Sequence, residues 1–166
     1  MQIFPRTDVG ALFDRVAADA LPGGRGLEAW RSLLRAHATL MRRLDTDLEQ
    51  ETGLALADFD VLAQLAEAHG ALRMTELADR ALISRSGMSR RVARLADEGL
   101  LRRDRAGTDG RGVVVALTQA GIARLAETAP VHARGISTLF VAQLDDQELA
   151  LLERALNKVI VDCSFG

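Results

Sequence analysis

The 166-residue chain is predicted to be mainly α-helical with a small β wing, and three observations carry that expectation. Apolar residues recur at helical spacing along most of the sequence, and two short helical patterns separated by a tight turn sit near its middle. After Gly99 the period changes from 3.6 to about 2. Helix, turn, helix and then hairpin describe a winged helix-turn-helix domain, here flanked by longer helices.

Each element follows from local chemistry. Val9, Leu12, Phe13, Val16 and Ala20 make a short amphipathic stripe that LPGGRG, Leu21 to Gly26, breaks off. From Leu27 to about Glu51 no Pro or Gly interrupts the recurrence of Trp30, Leu33, Leu34, His37, Met41, Leu44 and Leu48, so a long helix is expected, ended by Gly53. Phe59, Leu62 and Leu65 mark a second helix, closed by Gly70 in a left-handed cap. Leu72, Arg73 and Met74 read as an extended link, Thr75 as the N-cap of a short helix carrying Leu77 and Ala78, and Ser84 as the N-cap of the next. LLRRDR and VVVALT form the hairpin, with Asp109-Gly110 at its tip. Thr118 caps a helix to about Ala142, which Pro130 should kink, and Asp145 with Glu148 forms a capping box for the last helix.

The expected organisation is an N-terminal extension (1–26), a dimerisation helix (27–56), the winged domain (57–118) and C-terminal dimerisation helices (119–166). Both ends carry longer apolar stripes than so small a domain can cover, which points to a homodimer.

Charge is segregated. The whole chain has 21 Lys+Arg against 23 Asp+Glu, but residues 85–111 hold eight arginines and four acids, a net of +4 that leaves −6 for the rest. A basic module in an acidic frame fits a polyanionic partner. No apolar run nears the roughly 18 residues of a membrane span. The N-terminus has no basic leader ahead of an apolar stretch, so a cytoplasmic location is expected. The single cysteine, Cys163, allows no intrachain disulfide, and His37, His69 and His132 are too scattered to suggest a metal site. No phosphate loop, nucleophile elbow or zinc-protease motif is present, and neither catalysis nor a cofactor is expected. RNA binding would call for aromatic residues among the basic ones, and there are none.

The segment ISRSGMSRRVARLADEGL shows what the basic module is for. At 100° per residue, Met88, Val92, Leu95 and Ala96 share a buried face. Ser86, Arg90 and Ala93 fall opposite, flanked by Ser89 and Arg94. A strip of small and hydroxylated residues with arginine projecting from it can enter the major groove of duplex DNA, where arginine bonds two acceptors on guanine. Arg90 is the expected base reader, with Ser86 and Ser89 second. Ser84 and the helix N-terminus suit a phosphate. Arg85, Arg91 and Arg94 lie nearer the edges, where phosphate contact is expected, and the nearest acids in sequence are Asp97 and Glu98. The competing reading is a winged helix that binds protein, but such a module need not keep this strip small and positive.

Over Leu27 to about Ile160 the sequence resembles the MarR family of bacterial transcription regulators, in MTELADRALISRSGMSRRVARLADEGLLRR, in the wing pattern DGRGVVVALT and in LTQAG. The resemblance implies a dimer with interlocked terminal helices, a pseudo-palindromic operator, Arg111 in the minor groove and Asp109 fixing the wing. Arg in a narrow minor groove is also what the negative potential there favours. By the same resemblance a small aromatic ligand would bind between the dimerising helices and the winged domain, lined by Trp30, Arg31, Leu34, His37, Met41, Phe59 and Leu62. The helix of residues 8–20 lies outside the family's common core, and Arg91 stands at an edge that is often apolar in relatives.

Overall fold

The computed structural model describes residues 25–81, 83–105 and 112–163, together with Arg15. Apart from Arg15, the segment of residues 8–20 lies outside the described residues, as does the wing tip, Asp109 and Arg111 included. Two compact units divide between Met41 and Arg42. Helix α1 (Arg25–Thr52) therefore begins in the first unit and ends in the second.

In the first unit α1 carries the Arg31–Glu28 ion pair at 3.0 Å and exposes Trp30, Leu33 and Leu34. In the second, the last turns of α1 bury Leu44 and Leu48 in the core, and Gly53 ends the helix with φ +70°. Helix α2 (Leu56–Glu67) begins at Ala55, which offers no capping side chain. Asp45 of α1 supplies the acceptor, its Oδ1 taking the Leu56 N–H at 2.8 Å.

The reversal after α2 uses two residues where sequence predicts one. His69 (φ +61°) precedes Gly70 (φ +99°), and the Gly70 N–H reaches back to the Leu65 carbonyl at 2.7 Å. The expected extended link is a strand, β1 (Ala71–Arg73), and Met74 already belongs to helix α3 (Met74–Arg80). Thr75 is therefore not the N-cap. The helix opens at Arg73, whose N–H is held by the Glu76 carboxylate at 3.1 Å, a contact available only if the helix starts before Thr75.

Ser84 caps α4 (Arg85–Asp97) as expected, its Oγ accepting the Gly87 N–H at 3.2 Å. Strands β2 (Leu101–Arg105) and β3 (Val113–Leu117) are the stems of the hairpin, and β1 adds a third strand in the order β1-β3-β2, all antiparallel. Register puts Leu72 and Arg103 on either side of Val115, whose burial with Leu72 ties the sheet to the core.

Helix α5 (Gln119–Leu139) starts under Thr118, which accepts the Gly121 N–H at 3.0 Å and donates to the carbonyls of Gly99 and Leu100. It continues through Pro130 and gives way at Phe140 to a 3-10 turn (Val141–Gln143), short of the expected Ala142. The predicted capping box opens α6 (Asp146–Cys163): Glu148 N–H to Asp145 Oδ1 at 2.8 Å, and Asp145 N–H to Glu148 Oε2 at 3.0 Å. The core cluster joins the last turns of α1 to Phe59, Val61, Leu62 and Leu65 of α2, Leu77 of α3, Met88, Val92 and Leu95 of α4, and Val115 of β3.

Two features of α5 yield predictions. A Cβ on Gly121 would stand 2.1 Å from the backbone oxygen of Leu100, so this glycine lets α5 press against the start of the wing. Gly121→Ala should destabilise the fold by about 1–3 kcal/mol in denaturant melts, because backbone must shift to admit the methyl group.

His132 lies against Phe59, with ring centroids 4.5 Å apart, and its Nδ1 is buried without a hydrogen-bond partner. Burial holds its pKa below the ordinary 6.5, against the opposing pull of Asp60. The unfolded chain then binds more protons than the folded one below about pH 6.5, so stability from this group is complete above that pH and is lost on acidification through the folded value. Asp60 acts in the other sense: although its side chain reaches solvent, partial desolvation lifts its pKa above 3.8, against His132 and Arg91, so its contribution declines as pH rises from there. His132→Phe should flatten the pH dependence of unfolding free energy on acidification below about pH 6.5, measured by urea melts.

Candidate nucleic-acid interface

The basic segment is a regular helix with two unlike faces. Met88, Val92 and Leu95 are fully buried and Ala96 packs against the same cluster. Arg85, Ser86, Ser89 and Arg90 are exposed, and Ala93, which shares their side, is half-buried. The inward face matches the helical-wheel expectation because three apolar side chains spaced four and three apart can all leave water only on one side.

The N-terminal turn is held by Ser84, whose Oγ caps Gly87 and lies 3.4 Å from the Ser86 Oγ. The Met88 N–H is taken by the Ser84 carbonyl at 2.8 Å. Gly87 fits closely here, since a Cβ would meet the Ile83 side chain at 3.0 Å and the Ser84 Oγ at 3.1 Å. At the other end Gly99 (φ +77°) closes the helix, its N–H bonding the Ala96 carbonyl at 3.0 Å, and the chain turns directly into β2.

The four arginines of α4 divide into two pairs. Among the described residues neither Arg85 nor Arg90 is paired with a carboxylate. Arg91 and Arg94 are held. Arg91 Nη1 lies 2.7 Å and Arg94 Nη2 2.6 Å from a single oxygen, Oδ1 of Asp58 on α2, and Arg94 Nη1 reaches Glu98 at 3.2 Å. Asp58 is 3% exposed. Its hydrogen bond pushes the Arg94 pKa further above the ordinary guanidinium value. Sequence proximity names Asp97 and Glu98 as the nearest acids; the structure adds Asp58, which lies 33 and 36 residues from its partners. With Asp58 and Asp60 on either side of Phe59, the sequence does not tell which acid α2 buries, and nothing near Asp58 signals its role.

Beside α4 lies a concavity of about 410 Å³ lined by Ile83, Gly87, Arg90, Arg91 and Arg94. On β2, Arg102 is occupied by Asp104 at 2.8 Å and Arg103 is exposed. The residues expected around an aromatic ligand fall into two environments. Trp30, Leu34, His37 and Met41 are exposed and Arg31 is half-buried, whereas Phe59 and Leu62 are buried members of the core cluster. Among the described residues no three His, Cys, Asp or Glu side chains could together hold a metal ion, and no helix is long and apolar enough to cross a membrane.

Comparison with known proteins agrees with this architecture. The sequence model of the MarR family matches residues 52–112, from the end of α1 to the start of β3. Sco3205, a MarR family transcriptional regulator from Streptomyces coelicolor whose crystal structure is in complex with DNA, is 33% identical; the match covers 83% of this chain and 87% of that one, with a TM-score of 0.77. AbsC, a MarR family regulator from the same organism, is 29% identical over 83% of this chain and 93% of its own, with a TM-score of 0.76. An HTH-type transcriptional regulator of Bacillus cereus is 28% identical over 130 residues, which are 78% of this chain and 85% of the relative. With its three-stranded wing, its capped and two-faced α4, and a relative one-third identical over most of both chains, this protein belongs to the MarR family of transcriptional regulators and not to a family of enzymes.

Proposed function

We propose that the chain is a homodimeric repressor that acts in the cytoplasm on a pseudo-palindromic operator, with α4 of each protomer in the major groove. One observation carries the reading: α4 buries Met88, Val92 and Leu95 completely, and so turns Ser86, Ser89 and Arg90 outward with Arg90 free of any carboxylate among the described residues. Arg90 is assigned the base contact, because a bidentate guanidinium distinguishes guanine from the other bases. Ser86 and Ser89 assist it, and Ser84 and Arg85 meet phosphates at the helix N-terminus, where the dipole favours an anion. In the wing, Arg111 is assigned the minor groove and Asp109 the task of fixing it. The DNA complex of Sco3205, through its likeness to the present chain, supports duplex DNA as the partner.

Dimerisation through both ends of the chain is supported by apolar side chains left in water. On α1, Trp30 is 56% exposed and Leu34 48%; on α6, Leu151 is 61% and Val159 57%. Residues 27–56 and 119–166 are accordingly the dimerising segments and 57–118 the reading domain. Two α4 helices then stand about 34 Å apart, one turn of DNA. Release by a small aromatic acid completes the proposal, supported by the exposed Trp30 ring and His37 imidazole on α1, with the Arg31–Glu28 pair on the same helix. A panel of salicylate-like acids tests it: one or more should weaken operator binding, and none doing so removes that part.

Selection from a random duplex pool with the purified protein should return a two-fold symmetric site, whose affinity falls steeply with salt as phosphate neutralisation releases counterions. Binding that is insensitive to salt, or no selected sequence at all, would favour a protein partner instead. Arg90→Ala should cost about 1–3 kcal/mol and relax the preference at one position per half-site. Equal loss on every sequence would reassign Arg90 to a phosphate.

A further inference from the structure

The division of the α4 arginines has a cause in α2. Asp58 is a buried carboxylate, and such a charge is tolerated only where opposite charge and hydrogen bonds offset its lost hydration. Here two guanidinium groups converge on one of its oxygens, at 2.7 and 2.6 Å. Both come from the helix that displays Arg90, and the Arg91 side chain is drawn in far enough that its Nε is buried. Arg94 is gripped on both sides, by Asp58 and by Glu98. The clamp thus joins α2 to two successive turns of α4. It also keeps two cations occupied at the rim of the concavity that Arg90 shares with them.

We propose that Asp58 is the positioning residue of the recognition helix: by holding Arg91 and Arg94 it fixes the setting of α4 and withholds both guanidinium groups from indiscriminate phosphate binding, and so sets how strongly one duplex sequence is preferred over another. The inference rests on the DNA-reading proposal above. Its physical basis is that phosphate contacts raise affinity for every sequence alike, whereas base contacts need the helix in one orientation. A free arginine on this surface would add to the first term and nothing to the second.

The test is Asp58→Asn in the full-length protein, measured on the selected site and on a random duplex across a salt series. Removal of the carboxylate leaves Arg91 without its partner and Arg94 with only the exposed Glu98, a weak tie that a phosphate can displace. The salt dependence on random duplex should steepen by about one for each arginine released. Random-duplex affinity should hold or rise while the ratio of specific to random affinity falls about ten-fold or more. A residue that served the fold alone would lower both affinities together with no steeper salt dependence, and that result, or an unchanged ratio, overturns the proposal. Should Asp58→Asn melt below the assay temperature, the paired variant Asp58→Asn/Arg91→Met removes both sides of one buried contact and still releases Arg94 from Asp58, leaving it only the exposed Glu98, with a steepening of up to about one expected and the same ratio decisive. A wild-type protein that prefers no duplex sequence refutes the regulator reading itself, and this inference with it; a discriminating wild type beside an equally discriminating variant refutes only the role of Asp58.

Discussion

What α4 shows to solvent depends on how completely it is anchored underneath. Met88, Val92 and Leu95 have no exposed surface, and each fully buried side chain of this size is worth about 1.5–3 kcal/mol relative to leaving it in water. That burial fixes the rotation of the helix about its own axis, since the three share one narrow arc and a turn of 100° would carry all of them out of the core and bury a serine or an arginine. Apolar packing constrains rotation well and sliding along the axis poorly. Sliding is limited by polar contacts at the ends, the Ser84 cap at one and the Gly99 reversal at the other, and by the Asp58 clamp between them. The outward strip of small residues and Arg90 is the residue of these constraints, the part of the helix on which packing makes no demand.

Electrostatics on this helix are local, and the composition of the chain conceals them. A total of 21 basic against 23 acidic residues gives no hint of a polyanion site, and counting residues 85–111 alone overstates it. Asp58, remote in sequence, neutralises part of the Arg91 and Arg94 charge from within, and Glu98 takes the other fork of Arg94. The uncommitted charge is therefore concentrated on Arg85 and Arg90, toward the N-terminal half of α4, where the positive end of the helix dipole adds to it. On the proposed reading, concentrating charge at that end is more discriminating than spreading it along the helix, because phosphates line every duplex and only an inserted end reaches base edges.

Features encoded over three or four residues were legible in the sequence, and those encoded over tens were not. Ser84 and Thr118 announce helix starts because a hydroxyl just before an apolar repeat has one favourable acceptor role, and both are caps in the structure. The buried face of α4 follows from spacing alone. Thr75 misleads for the same local reason: it has the right chemistry, but Glu76 reaches back to Arg73 and the helix opens earlier. The third strand was hidden because Ala71–Arg73 is too short to show a period and gains strand character only from pairing with β3, more than forty residues on. Asp45 capping α2 and Asp58 clamping α4 were hidden likewise, since nothing adjacent to either acid records the partner it will meet. Of the interface, the face was readable and the occupancy of its charges was not.

The wing and α5 are joined by a contact that bears on both reading and assembly. Thr118 bonds the carbonyls of Gly99 and Leu100, where α4 ends and β2 begins, while its own side chain caps α5 through Gly121. The absence of a Cβ at Gly121 lets that helix touch the Leu100 backbone directly. Three elements thus meet at a point with little freedom to yield: the end of the proposed reading helix, the root of the wing and the start of a helix assigned to dimerisation. Backbone-to-backbone contact transmits displacement better than a contact between long side chains, which absorb it by changing rotamer. A shift of α5 imposed from the proposed dimer interface would therefore be felt at Leu100 and Gly99 before it was felt at Arg90, and the wing and the C-terminal end of α4 would move together.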